Sequence, residues 1–231
     1  MNKIINILRF VNGRRCAVCN CAIELTNDNE LCSLCYSNWI RECEETSLHP
    51  IEKNKKDSLI YLTYYRTYRE TPSKSMILSL KKNNSRNIYN FLAFNLSQTL
   101  KKHYKGIPRD TIIINVPRSP KAIFKYGFDQ AALLAHCVSD MMNLEYIDAL
   151  GYKTSRRFIQ QKKLTLEDRK HNAFNAYYVK NKKTIKIFGK RCILIDDVYT
   201  TGATLTACAK LLVDHGAKYV DCAVIAKTLK S

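Results

Sequence analysis

Three shortages bound what this 231-residue chain can be. It has no apolar run approaching the roughly 20 residues with which a helix spans a bilayer. The best attempt, IINILRFV at residues 4–11, is broken by Asn6 and Arg9. Arg14 and Arg15 follow it where a cleavable leader would carry small residues, so it does not read as an export signal. The chain also lacks internal repeats and low-complexity tracts, which argues against a solenoid or a disordered chain. Acidic residues are scarce: 20 Asp and Glu face 38 Lys and Arg, a formal charge of +18 with a pI near 9.5. With 46% hydrophobic and 25% charged residues, the remainder is ordinary globular material.

The basic excess is not shared evenly. Residues 1–60 carry eight basic and eight acidic side chains, and residues 61–231 carry thirty and twelve. The whole surplus therefore belongs to the second part, where it would attract polyanions: nucleic acid, anionic lipid or phosphorylated small molecules. A codon bias towards Lys and Asn would produce the same total. Ten cysteines are present, five of them between Cys16 and Cys35. A disulfide scaffold of this length is not expected, because such scaffolds are short chains without a core of their own. The expected address is the cytoplasm, where thiols stay reduced, with a peripheral place at the inner face of the membrane as a variant of it.

Residues 46–58 (TSLHPIEKNKKDS) are polar, contain Pro50 and read as a linker. They divide a Cys-rich head, residues 1–45, from an α/β body, residues 59–231. Residues 59–65 (LIYLTYY) are expected to form a strand, and residues 75–80 and 88–104 helices, the second with a stripe of Ile88, Phe91, Leu92, Leu96 and Leu100. From residue 111 onward strands and helices alternate. TIIINV (111–116), CILI (192–195) and YVDCAVIA (219–226) are the strands, and 129–143 and 202–215 the helices. On the first helix Ala132, Leu133, Ala135, His136 and Met142 are expected near one side, with His136 packed in the core. A strand, a helix and a strand with a short return imply a right-handed crossover and a parallel sheet. Ligands of such sheets sit beyond the carboxyl ends of the strands, which draws attention to the residues after Val116 and Ile195.

The head carries two C-x2-C knuckles, Cys16/Cys19 and Cys32/Cys35, twelve residues apart. A gap of two residues lets one tight turn present two thiolates to a tetrahedral ion, so the four are expected to hold a structural Zn2+. A head of some 45 residues has too little apolar mass to fold alone, which favours the metal over a loop of reduced thiols. Cys21 and Cys43 stand outside this set, Cys21 because it spoils the turn spacing.

The most informative stretch is CILIDDVYTTGAT, residues 192–204. Two carboxylates at the end of a strand, Asp196 and Asp197, can accept hydrogen bonds from neighbouring sugar hydroxyls. Thr200, Thr201 and Thr204 add hydroxyls, and Gly202 lets the backbone approach a phosphate at the positive end of the following helix. The plainer reading, a capped strand followed by a helix N-cap, stands equally well on composition alone.

CILIDDVYTTGAT resembles the phosphoribosyl pyrophosphate (PRPP) signature of type I phosphoribosyltransferases. The resemblance implies a parallel sheet flanked by helices, with Asp196 and Asp197 on the ribose hydroxyls. It implies that Val198, Tyr199, Thr200, Thr201, Gly202, Ala203 and Thr204 form the remainder of the PRPP site, the last five around the 5-phosphate. With the cysteine head, Val116-Pro117, Gly127-Phe128-Asp129-Gln130 and Gln161 to Leu164 continuing to Arg169 and Asn172, the chain resembles the ComF family of competence proteins. Tyr126 stands where the family usually has Arg, Asp129 where it has Asn, and the aromatic after Asn172 is Tyr177.

The resemblance implies Mg2+ with PRPP, and a pyrophosphate loop of Pro117, Arg118, Ser119 and Lys121. It gives no residue for acid–base catalysis. Several nucleobase phosphoribosyltransferases have Asp where this loop has Thr200, whose hydroxyl does not titrate near neutrality. Two functions are therefore expected to compete. One is a PRPP-binding protein of DNA uptake that contacts single-stranded DNA and a helicase-like partner. The other is a metabolic transferase acting on a nitrogen acceptor. Tyr64 to Arg69 (YYRTYR) could stack bases between cations, or pack a strand.

Overall fold

The computed structural model describes residues 14–23, 31–45, 52–53, 60–67, 71–82, 86–104, 106–153 and 176–228. The Gln161–Asn172 motif lies outside these residues, as do the side chains of Cys43 and of Tyr64–Arg69. In chain order the elements are α1 (Ser33–Glu45), β1 (Glu52–Lys53), β2 (Ile60–Thr67), α2 (Thr71–Lys82), α3 (Arg86–His103), β3 (Thr111–Asn115), α4 (Pro120–Tyr126) and α5 (Gln130–Met142). They continue as β4 (Glu145–Tyr146), β5 (Leu150–Tyr152), β6 (Tyr177–Val179), α6 (Thr184–Ile187), β7 (Arg191–Tyr199), α7 (Ala203–Asp214) and β8 (Tyr219–Lys227).

Six strands form one sheet in the order β1-β2-β8-β7-β3-β4, parallel throughout except for the short antiparallel edge β1. The central strands are apolar on both faces. Ile113, Ile193, Ile195, Ala223 and Ile225 join one buried cluster, and Ile112, Ile114, Cys192, Leu194, Cys222 and Val224 the other. Strands covered on both sides need such continuous apolar runs. The first face is packed by α3 and α5, whose stripes bury Ile88, Leu92, Leu96 and Leu100, and Leu134, Ala135 and Val138. The second face is covered by α7, Ile187 of α6 and the antiparallel β5–β6 pair.

The head shares the first of these cores. Leu31 and Trp39 are fully buried in the same cluster as Met76 and Leu92, and the Trp39 ring lies 5.3 Å from that of Phe91 on α3. Two residues of the expected linker are not loop: Glu52 and Lys53 pair with Leu62 and Tyr61 at the sheet edge.

His136 is a correction. It is exposed, and its ring stacks on Tyr146 with centroids 3.8 Å apart. The buried positions of α5 are Gln130, Ala131, Leu134, Ala135, Val138, Ser139 and Met142. That stripe puts position 136 on the outer side of the helix, whatever its neighbours in sequence.

Candidate functional site

β3 and β7 lie side by side, with Asn115 opposite Ile195, so the segments leaving both strands meet at one end of the sheet. The Val116 N–H still donates to the Ile195 carbonyl at 2.9 Å, which extends the pairing by one residue. The chain then turns through Pro117, Arg118 and Ser119 into α4, where the Ser119 hydroxyl accepts the Ala122 N–H at 3.2 Å. Lys121 sits on this helix and is exposed, rather than in the loop itself.

The loop is held by an acid the sequence reading noted only as a departure. One oxygen of Asp129 accepts the backbone N–H of Arg118 at 3.1 Å, and the other accepts that of Ala132 at 3.0 Å. Asp129 is thus the N-cap of α5 and the anchor of the loop at once. An acidic residue just ahead of a helical stripe was the available signal for the first role. Its second partner is eleven residues upstream and carried no such signal.

β7 does not stop at Ile195. It runs on to Tyr199 because β8 continues beside it, pairing Asp196 with Val224, Val198 with Ala226 and Tyr199 with Lys227. Asp196, Asp197, Val198 and Tyr199 are therefore strand residues rather than loop residues. Asp196 accepts the Asp197 N–H at 2.8 Å. Burial, with the neighbouring charge of Asp197 in second place, pushes the Asp196 carboxyl up to about 8, although the Arg118 guanidinium works against this. Asp197 is buried and meets Arg118 directly, its Oδ2 accepting from Arg118 Nη2 at 2.5 Å. The Arg118 Nε–H is buried with no hydrogen-bond partner among the described residues.

Beyond β7, Thr200 and Thr201 are exposed and Gly202 is buried, with φ +78°. A β-carbon at Gly202 would stand 2.4 Å from the Tyr199 hydroxyl, so the tyrosine ring closes over a backbone that must be bare. α7 follows with Ala203 and Thr204 in its first turn, and only a long contact caps it, Thr201 Oγ1 accepting the Ala203 N–H at 3.4 Å. Burial pushes the Tyr177 phenol of β6 well above its ordinary range, with Thr204 working against the shift. Carboxylates, a guanidinium and the start of a twelve-residue helix thus converge at the carboxyl end of the sheet. Such a place can take a sugar carrying phosphates at two positions.

The head holds a second cluster. The sulfurs of Cys16, Cys19, Cys21 and Cys32 lie within 4.8 Å of one another. Cys19 and Cys32 are 3.6 Å apart, and the Cys19 thiol donates to Cys21 at 3.2 Å. The knuckle is closed by Cys16 N–H to the Cys21 carbonyl at 2.8 Å, with Asn20 at φ +61°. Cys21 stands outside the C-x2-C spacing, but the left-handed Asn20 folds the chain back and returns it to the cluster. Cys35 is buried next to them, its N–H donating to Cys32 Sγ at 3.5 Å. A set of soft thiols at these separations fits a tetrahedral metal ion. The proximity of Cys21, its backbone first, brings the Cys19 thiol down to about 6, and the proximity of Cys19 pushes Cys21 up to about 12.

Residues 144–231, which contain Asp196 to Thr204, match the phosphoribosyl transferase domain family. Among curated proteins, a DNA utilization protein YhgH of Shigella flexneri is 30% identical over 124 residues, 54% of this chain and 52% of that protein. The competence protein ComFC of Bacillus subtilis is 28% identical over 180 residues, 76% of this chain and 66% of that protein. The ComFC of Streptococcus pneumoniae is 30% identical over 125 residues, 54% of this chain and 50% of that protein. The chain thus spans about half the length of the first of these relatives. Solved structures that align include the allosteric regulatory enzyme of purine biosynthesis, at 16% identity and TM-score 0.42 over 64% of this chain and 30% of the other. A purine phosphoribosyltransferase of Pyrococcus horikoshii aligns at 20% identity and TM-score 0.35, over 60% of this chain and 73% of the other. The carboxyl-terminal part of the chain is thus similar to phosphoribosyl transferase domains, and the chain is similar to the competence protein ComFC and the DNA utilization protein YhgH.

Proposed function

We propose that the chain binds PRPP at the carboxyl end of its sheet and acts in the handling of DNA during uptake. The observation that carries the first half is the convergence of Arg118, Asp196, Asp197 and the Gly202 turn at the open end of β3 and β7. Asp196 and Asp197 would take the ribose hydroxyls. The turn from Thr200 to Thr204 would take the 5-phosphate, with the N–H groups that open α7 donating to it. Pro117, Arg118, Ser119 and, from α4, Lys121 would take the pyrophosphate. Mg2+ bound with PRPP would neutralise part of that charge, and the oxygen donors of Asp196 and Asp197 suit such a cation. In the head, Cys16, Cys19 and Cys32 with Cys21 or Cys35 would hold a structural Zn2+. We read residues 1–45 as this head, 46–58 as its connection and 59–231 as the catalytic-type domain.

The DNA-handling half rests on the ComFC and YhgH relatives and on a surface at the opposite end of the sheet. There Ile185 and Phe188 are 87% and 73% exposed, among Lys182, Lys183, Lys186, Lys190 and Lys218. The Phe188 ring lies close over Gly216, and its exposed part could stack on a base while lysines other than Lys186, which pairs with Glu145 at 3.0 Å, hold phosphates. Transfer of the phosphoribosyl group to a nitrogen acceptor is the second reading, supported by the transferase domain match.

The test is the melting temperature of the intact, zinc-loaded protein with Mg2+ and PRPP. PRPP is expected to raise it, and Asp196→Ala with Asp197→Ala to abolish the rise; no rise in the wild type would remove the reading. Pyrophosphate release with candidate acceptors, with and without single-stranded DNA, separates binding from turnover. Single-stranded DNA affinity should fall steeply with salt, and Phe188→Ala should weaken it.

A further inference from the structure

Arg118 and Asp197 belong to the two halves of the proposed site that would serve different ends of one ligand. Arg118 would hold pyrophosphate, and Asp197 the ribose. In the structure they hold each other, at 2.5 Å across 79 residues of sequence. We propose that this ion pair is a latch: an anion at the pyrophosphate loop draws Arg118 away and so frees Asp197 to accept the ribose hydroxyls. The proposal rests on the PRPP-binding reading and deepens it by giving the site an order of assembly.

Three features make the swing a side-chain motion. The loop backbone is pinned on both sides of the arginine's reach, by the Val116 N–H on the Ile195 carbonyl at 2.9 Å and by the Arg118 N–H on Asp129 at 3.1 Å. The arginine is the more exposed partner, with 20% of the Arg118 side chain accessible against 7% for Asp197, so an incoming anion meets the arginine first. The latch also leaves the arginine short of partners, because its buried Nε–H has none among the described residues. A phosphate group offers a guanidinium several acceptor oxygens. Asp197 would not be abandoned when the arginine leaves, since ribose hydroxyls can donate to it.

The consequence is a sign that ordinary site residues do not give. A ligand with the ribose and 5-phosphate but no pyrophosphate cannot trip the latch, so ribose 5-phosphate should bind the wild type weakly. Inorganic pyrophosphate should tighten it, and by linkage ribose 5-phosphate should tighten pyrophosphate by the same factor. Removing the arginine should strengthen one ligand while weakening the other.

The experiment is calorimetric titration of the full zinc-loaded chain, with Mg2+, using ribose 5-phosphate, inorganic pyrophosphate and PRPP. For Arg118→Gln, ribose 5-phosphate is expected to bind about fivefold or more tighter than to wild type, pyrophosphate to bind weaker, and the mutual tightening to vanish. Arg118→Lys, too short to keep the same contact, should move in the same direction and serves if the glutamine variant does not fold. Unchanged or weaker ribose 5-phosphate binding in the variants, with PRPP still binding the wild type, overturns the latch and leaves the PRPP reading standing. Absence of mutual tightening in the wild type overturns it without any variant. If none of the three ligands binds the wild type, the PRPP reading fails and the latch with it.

Discussion

The carboxylate of Asp129 bridges two backbone N–H groups, Arg118 at 3.1 Å and Ala132 at 3.0 Å, and so ties the loop after β3 to the first turn of α5. Asp129→Ala removes a helix cap, a loss of about 1 kcal/mol. It also releases the backbone of Arg118. We expect a lower melting temperature together with weakened pyrophosphate binding. Asp129→Asn keeps an acceptor oxygen for the cap and should sit closer to wild type in both. Equal loss of binding in the two variants would show that charge, not anchoring, is what the loop needs.

Asp196 gives a prediction in pH. Its carboxyl is raised to about 8 by burial, with Asp197 beside it, whereas in the unfolded chain it ionises near 4. Between those values the folded state holds a proton that the unfolded state has lost. The contribution of this group to stability therefore falls as pH rises from about 4 and levels off above about 8. Asp196→Asn cannot ionise and keeps an oxygen for the Asp197 N–H. Relative to wild type, the melting temperature of the variant should be lowest at about pH 4 and rise steadily to exceed it clearly at pH 9. A difference that does not change with pH would refute the shift.

Gly202 combines φ +78° with a β-carbon position already crowded by the Tyr199 ring. Gly202→Ala should cost about 1–2 kcal/mol in backbone strain, and it should push the tyrosine off the turn. Chemical denaturation gives the first quantity. Loss of the PRPP-dependent stabilisation, out of proportion to the drop in stability, gives the second.

Five cysteine sulfurs gather in the described part of the head, and in the proposed zinc site Cys21 and Cys35 would compete for the fourth place. Cys21 completes the cluster with Cys16, Cys19 and Cys32, and Cys35 lies against Cys32 from the other side. Cys21→Ser and Cys35→Ser should each retain one zinc per chain, with reduced affinity in chelator competition. The double variant should lose it, and so should Cys19→Ser or Cys32→Ser. If either single variant of Cys21 or Cys35 is metal-free, that residue alone is the fourth ligand.

The helices and central strands of this fold are written in short-range pattern. The stripe at Ile88, Leu92, Leu96 and Leu100 and the apolar run at 111–116 appear as expected, because periodicity and two-sided burial act on neighbouring residues. What was illegible depends on partners far along the chain. Nothing local marks Asp196 to Tyr199 as strand, since β8 supplies their pairing through backbone groups alone. β5 and β6 are three residues each and find one another across the intervening 153–176 segment. In the site, residue types and the turn glycine were readable, but the contact from Arg118 to Asp197 was not. Cys21 was set aside by counting residues between ligands, a count that does not foresee a left-handed Asn20.

Trp39 packed on Phe91 makes the cysteine head answerable to the same helix that backs the sheet. If the head holds the proposed zinc, metal loading becomes a variable in every measurement made on the carboxyl end of the sheet. A preparation stripped by chelator would hand α3 an unsupported aromatic face, and its ligand affinities would describe a damaged scaffold rather than an empty site. Zinc content ought to be assayed on the same batch as each titration, and a deletion of the head would test the scaffold before it tested the head.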